Sequence, residues 1–327
     1  MLHLVRNNSP YTVIILCIFT LLVKLQVIGH PAMPVVVPGH LLYNGIVQFL
    51  HVSIGFGPIG FTWLATIMIL LQGLALSAIV NRYKLYNKPS YIFAYLYVLF
   101  SSLAPSLGYF TETLLVNWCM LAAFSMLLSF HQTSQPRKQI FNCAFILSIA
   151  ALLHFPAILF LLLLFITLIL LRSFNPGEYI VGLLGYFTPV YFFAGVLFLI
   201  DKLPEIRKWP YVITSFKGQL PYLPYTIGAS LGLGILFICG IFVLQSQMTK
   251  LSVFMRRNWT MIAFYLFLSL AVAFDTFFSS IGAWLVIMPA LSLIVANAFY
   301  LEKNKVFSNF VFYFSLALVV FCQLTIK

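Results

Sequence analysis

The sequence predicts an all-α fold, a polytopic transmembrane helical bundle of about 11 spans, and three observations carry that expectation. Hydrophobic residues make up 62% of the 327 positions and charged residues 7%, with a mean hydropathy of +1.05, so there is too little polar surface to coat a water-soluble globule. The apolar residues fall into runs close to the ~20 residues that a helix needs to cross a bilayer. Between those runs lie short clusters of Lys and Arg, which give a formal net charge of +12. Nucleic acid is excluded as a partner because the cations form no continuous patch or helical stripe and the loops are too short for a binding module. Membrane lipids explain them through loop topology.

The first run, 11–28, follows MLHLVRNNSPY. No small-residue cleavage site comes after it, so it is expected to be a retained span and not a removed signal peptide. Residues 29–57 then form a large loop, with prolines and glycines first and an amphipathic segment near Leu41–Val52 that suits the membrane surface. Spans are expected near 59–80, 90–106 and 112–130.

The next apolar run, Ile140 to Leu171, is flanked by Arg137-Lys138 and Arg172. Both flanks favour the same side, which requires an even number of crossings. A pair of helices, 140–153 and 155–172, turning at His154-Phe155-Pro156 meets that requirement, since proline disfavours helix in its predecessor and suits the first turn of the next helix. One kinked, tilted helix is the alternative. A span at 179–200 opens on Asn175-Pro176-Gly177-Glu178, a helix-start pattern. A second loop, 201–225, carries Pro, Trp and Tyr. Spans near 226–246, 260–278, 281–300 and 307–325 complete one integral membrane domain covering 1–327.

A cytoplasmic N-terminus places Arg6, Arg82, Lys84, Lys88, Arg137, Lys138, Arg172, Lys250, Arg256, Arg257, Lys303 and Lys305 inside. It leaves Lys24, Lys202, Arg207, Lys208, Lys217 and Lys327 outside. This bias is what the positive-inside rule predicts for a multi-pass membrane protein with a cytoplasmic N-terminus. Cys17, Cys119, Cys143, Cys239 and Cys322 all lie in apolar runs without CxxC spacing and read as small hydrophobes. No nucleotide loop, HExxH or nucleophile elbow is present, and no cofactor is expected.

Ionisable groups in a bilayer are costly and so mark candidate chemistry. Glu112, His154 and Asp275 all fall at the outer ends of spans and are the candidate catalytic residues. Each also has a structural reading, the acids as helix-end groups and His154 as a turn residue. The first outer loop adds His30, His40 and His51. No two of these three are spaced i, i+4, so no metal site is assigned from spacing. In the second loop Arg207, Lys208 and Lys217 are candidates for a lipid phosphate.

The stretch QIFNCAFILSIAALLHFPAILFLLLLFITLILLRSFNPGEYIVGLLGYFTP, with NRYKLYNKPSYIFAYLYVLFSSLAPS upstream, resembles a family of uncharacterised multi-pass inner-membrane proteins of Bacteroidota. The matching elements are the Phe155-Pro156 helix pair, Arg172, Glu178 and the segment Gly185 to Pro189. A wider similarity is to GT-C glycosyltransferases, through the large first loop with its amphipathic segment, the short paired helices and the acid at the start of the fourth span, Glu112. That similarity implies transfer from a polyprenyl-phosphate-linked sugar at the outer membrane face. The pattern also includes an acid in the first outer loop, and residues 29–57 contain none.

Three functions therefore stand. The first is a transferase of envelope biogenesis with Glu112 or Asp275 as base. The second is a non-catalytic subunit or scaffold of an envelope or secretion complex, bound to other membrane subunits. The third is a transporter, for which inverted repeats and broken helices are expected.

Overall fold

The structure is a computed structural model that describes residues 10–325 apart from 38, 87, 131–134, 210–222, 275–280 and 300–304. Every regular element among the described residues is helical. Among the described residues, six helices contain a stretch long and apolar enough to cross a membrane: Pro58–Arg82, Glu112–Ser129, Pro176–Leu199, Ile227–Met248, Val253–Phe274 and Val306–Gln323. The chain is a polytopic membrane protein. It begins with α1 (Pro10–Val23), a short α2 (Leu25–Gly29), α3 (Leu41–Ile54) and the long α4 (Pro58–Arg82).

The following α5 (Ile92–Phe100) has nine residues, all buried. At 1.5 Å per residue it is about 13 Å long, less than half of a ~30 Å hydrocarbon layer. The chain then turns through a 3-10 segment, Pro105–Gly108, into α6 (Glu112–Ser129). The sequence expects one span over 281–300. The structure divides it into a 3-10 segment (Ile281–Val286), α12 (Met288–Val295) and another 3-10 turn (Ala296–Phe299). Both divided segments lie inside the bundle, where α12 packs on α5. Uniform hydrophobicity does not separate a lipid-facing span from an interior one, and Pro105 and Pro289 interrupt the helices.

Breaking a helix within a bilayer frees backbone carbonyls that have no water to bond, so irregular backbone survives only where protein groups satisfy it. Polar side chains do this here. Asn117 of α6 donates to the Leu285 carbonyl at 2.8 Å and to the Tyr97 hydroxyl at 3.2 Å. Thr113 donates to the Gly282 carbonyl at 3.1 Å. Gln72 of α4 donates to the Leu114 carbonyl at 2.7 Å and accepts from Tyr97 at 2.6 Å. The fully buried Lys24 side-chain nitrogen donates to the Ser101 carbonyl.

The run 140–171 forms α7 (Pro136–Leu153), a 3-10 turn (Phe155–Leu159) and α8 (Phe160–Leu171). Arg172, just past α8, donates to the Phe130 carbonyl at the end of α6 at 3.1 Å. It also pairs with Glu178 of α9 (Pro176–Leu199) at 3.1 Å. The chain therefore returns to the end from which it entered, which is the helix pair the flanking cations predict. At that same end the Asn175 side chain caps α9 by accepting from the Gly177 amide. α9 packs closely along α7, where a Cβ on Gly185 would come within 2.6 Å of the Phe141 carbonyl oxygen. The bundle closes with α10 (Leu223–Met248), α11 (Val253–Phe274) and α13 (Lys305–Thr325).

Candidate functional site

The opposite end of the bundle gathers the starts of α3 and α6 and the end of α7. Glu112 is the first residue of α6, preceded by Thr111 in extended backbone, where a carboxylate faces the positive end of the helix dipole. Its side chain is 14% exposed. His154 follows the last residue of α7, with extended backbone. Its amide donates to Ala150 at 3.0 Å and its carbonyl accepts from Ala157 at 3.0 Å, so the turn before Phe155-Pro156 fixes it from both sides.

His40 sits immediately before α3, after Gly39 at φ 89°, a left-handed conformation that favours glycine. The turn is tied by the His40 amide to Val37 at 3.3 Å and by the Asn44 side chain to the same carbonyl at 2.8 Å. One turn into α3, the buried Tyr43 donates to the Phe110 carbonyl at 3.0 Å. That bond carries His40 to the start of α6, two residues from Glu112.

The result is a three-element cluster. One ligand-type atom each from His40, Glu112 and His154 lies within 4.8 Å of the others. The two imidazoles meet edge to face with ring centres 5.2 Å apart. His40 Nδ1 and Glu112 Oε1 are 4.0 Å apart, too far for a hydrogen bond. Burial holds the His40 imidazole well below its ordinary range, at about 4, so at neutral pH it is uncharged and presents a lone pair. His154 is 1% exposed, and neither of its ring nitrogens has a hydrogen-bond partner among the described residues. A buried polar group left in that state costs about 1–3 kcal/mol.

The start of the second loop, up to Trp209, docks on the same turn. After α9, a 3-10 segment (Leu203–Lys208) leads to Trp209, whose indole donates to the Ala151 carbonyl at 3.1 Å. Its ring packs edge to face on Phe155, with centres 5.4 Å apart. The sequence marks Trp209 only as an interface aromatic; the structure makes it the pin that holds a basic segment against the residue after His154. Arg207 is exposed on that segment and Lys208 ends it. Asp275 and Lys217 lie outside the described residues.

His30 and His51 do not join the cluster. His30 is exposed and its carbonyl accepts from Tyr109 at 3.0 Å. His51 is exposed on α3, with a ring nitrogen 2.8 Å from the Phe56 carbonyl. The i, i+4 spacing test concerns donors that share one helix. This cluster draws its three members from three elements, so spacing along the chain carries no trace of it. Compared with family models, curated proteins and solved structures, the chain matches none.

Proposed function

We propose that this protein is an inner-membrane enzyme of envelope biogenesis that transfers a group from a polyprenyl-phosphate-linked donor to an acceptor hydroxyl at the outer face. The observation that carries the reading is the convergence of His40, Glu112 and His154 at one end of the bundle. In the reaction the acceptor oxygen attacks the donor's anomeric carbon and the carbon–oxygen bond to phosphate breaks. The hydroxyl proton passes to the cluster, and polyprenyl phosphate leaves with the bonding electrons.

Two further features support the reading. Arg207, held near the same turn by Trp209, supplies positive charge for a donor phosphate. α3 buries Tyr43 and Val47 while exposing Phe49, Val52 and Ile54, a face suited to the membrane interface from which a lipid-borne donor arrives. The transporter alternative needs broken helices that line a path. The broken segments here are buried, and several of their carbonyls are taken up by Asn117, Thr113 and Lys24.

The test compares polyprenyl-phosphate-linked glycans, by mass spectrometry of membrane lipids, in the native organism, a deletion strain, and strains restored with wild type or Glu112→Gln. Accumulation of one lipid-linked saccharide in both the deletion and Glu112→Gln strains, at equal protein level, is the expected result. Unchanged lipid-linked pools in both would overturn the reading.

A further inference from the structure

We infer that His40, Glu112 and His154 form a binding site for one divalent transition-metal ion of the zinc class. Two imidazoles and one carboxylate are a donor set for catalytic zinc and for other first-row divalent ions, and imidazole disfavours magnesium and calcium. Around an ion with bonds of about 2.0–2.2 Å, neighbouring donors lie roughly 3–3.6 Å apart. The three donor atoms already lie within 4.8 Å of one another and one pair is at 4.0 Å. Side-chain adjustments of about 1 Å complete the set, with no change of backbone, and all three backbones are fixed by the turns and helix ends described above.

The second, independent observation is His154 itself. It is 1% exposed and faces the ring of His40. Neither of its nitrogens is satisfied by any described protein group. Burying an imidazole in this state is unfavourable unless something outside the chain uses its lone pair. A cation at this point gives that lone pair a partner, balances the Glu112 carboxylate and keeps the neutral imidazoles neutral.

Charge and coordination then restrict what else binds. One carboxylate and two neutral imidazoles leave a divalent ion with a net charge of about +1 and at least one open position. An anionic oxygen or an ionising hydroxyl fits that position, and the ion lowers the pKa of a hydroxyl or water bound there. The catalytic use of the ion rests on the function proposed above; its binding does not, and the two are measured separately.

The experiment purifies the full chain from its native membrane in mild detergent without chelator and counts metals per protein by inductively coupled plasma mass spectrometry. The chelator-stripped protein is then titrated with Co2+ and read by its visible d–d absorption, with Mg2+ as a competitor. About one zinc-class ion per chain is expected, together with a Co2+ band that Mg2+ does not displace. Glu112→Gln and His154→Gln are expected to weaken Co2+ binding at least 10-fold, while His30→Gln and His51→Gln leave it unchanged. Wild type with no stoichiometric transition metal and no Co2+ band overturns the site, and so does equal binding by Glu112→Gln and His154→Gln. If those two variants do not fold, the wild-type count and band decide alone. A metal-free wild type whose Glu112→Gln strain still accumulates a lipid-linked saccharide overturns the ion and keeps the transferase. A metal-loaded protein with unchanged lipid pools does the reverse.

Discussion

Gly185→Ala tests the helix packing that positions His154. A Cβ at Gly185 would lie 2.6 Å from the Phe141 carbonyl oxygen and 3.0 Å from its Cα. Ordinary contacts begin near 3.4 Å, and a backbone atom cannot rotate away as a side-chain tip can, so α9 and α7 must separate by several tenths of an ångström. Overpacking of this kind costs about 1–3 kcal/mol, partly offset by about 1 kcal/mol of better helix propensity. Gly195 lies on the same helix with nothing within 4 Å of its Cβ position, so Gly195→Ala keeps the propensity gain and meets no clash. The two variants should therefore differ by about 2 kcal/mol, or several degrees in melting midpoint. The buried Cys143 and Cys322 allow a thiol-reactive dye to report melting in detergent. Gly185→Ala melting at or above Gly195→Ala would refute the close α7–α9 packing and the placement of His154 that depends on it.

Arg172→Met strands the Glu178 carboxylate, whose side chain is 6% exposed, and should cost about 3 kcal/mol. Adding Glu178→Gln should recover much of that, and simple additivity of the two in a melting double-mutant cycle would count against a coupled pair. Two buried asparagines should respond oppositely to replacement by leucine. Asn117→Leu frees the Leu285 carbonyl and the Tyr97 hydroxyl and should lower stability by about 2 kcal/mol. Asn258→Leu removes an amide whose nitrogen and oxygen both lack partners among the described residues and should be neutral or stabilising; equal losses in the two would contradict the roles assigned to them. Trp209→Ala removes both the bond to Ala151 and the ring contact with Phe155. Limited trypsin digestion should then cut after Arg207 or Lys208 faster than in wild type, and an unchanged rate would mean that Trp209 pins nothing.

What the sequence makes legible is what the bilayer itself enforces. A crossing helix needs an apolar run of limited length, and each expected run overlaps a helical segment among the described residues, with those at 90–106 and 281–300 divided into shorter pieces. The turn at His154 is readable because Arg137 and Arg172 belong to one side, and the structure returns Arg172 to the end where α7 begins. The interior breaks at 101–108 and 281–287 are less readable. Their environment is as apolar as lipid, and the side chains that take up their carbonyls, Asn117, Thr113 and Lys24, lie elsewhere in the chain. The cluster is hidden for a related reason. Glu112 and His154 are visible singly as costly groups at span ends, but only the Tyr43 bond to Phe110 shows that the first loop brings His40 to them.

That contribution from the first loop bears on how the site handles a phosphate. Residues 29–57 offer no carboxylate, so the loop gives the cluster a neutral imidazole and leaves Glu112 as its one acid. With Glu112 ionised, a cluster of this composition is net negative and repels an anionic donor. Two things can reverse the sign: the basic segment that Trp209 holds at the same turn, and a cation bound between the two imidazoles and the carboxylate. The first acts from an exposed position, where solvent and salt weaken it. The second acts from within the cluster, where screening is weak and the charge stands next to the reacting oxygen. A transferase built on these residues therefore depends more on the ion than on Arg207. Arg207→Gln should reduce donor turnover modestly and mainly at low salt, while stripping the ion should abolish turnover at any salt concentration. Equal sensitivity to the two perturbations would place the positive charge in the loop and remove the ion's electrostatic role.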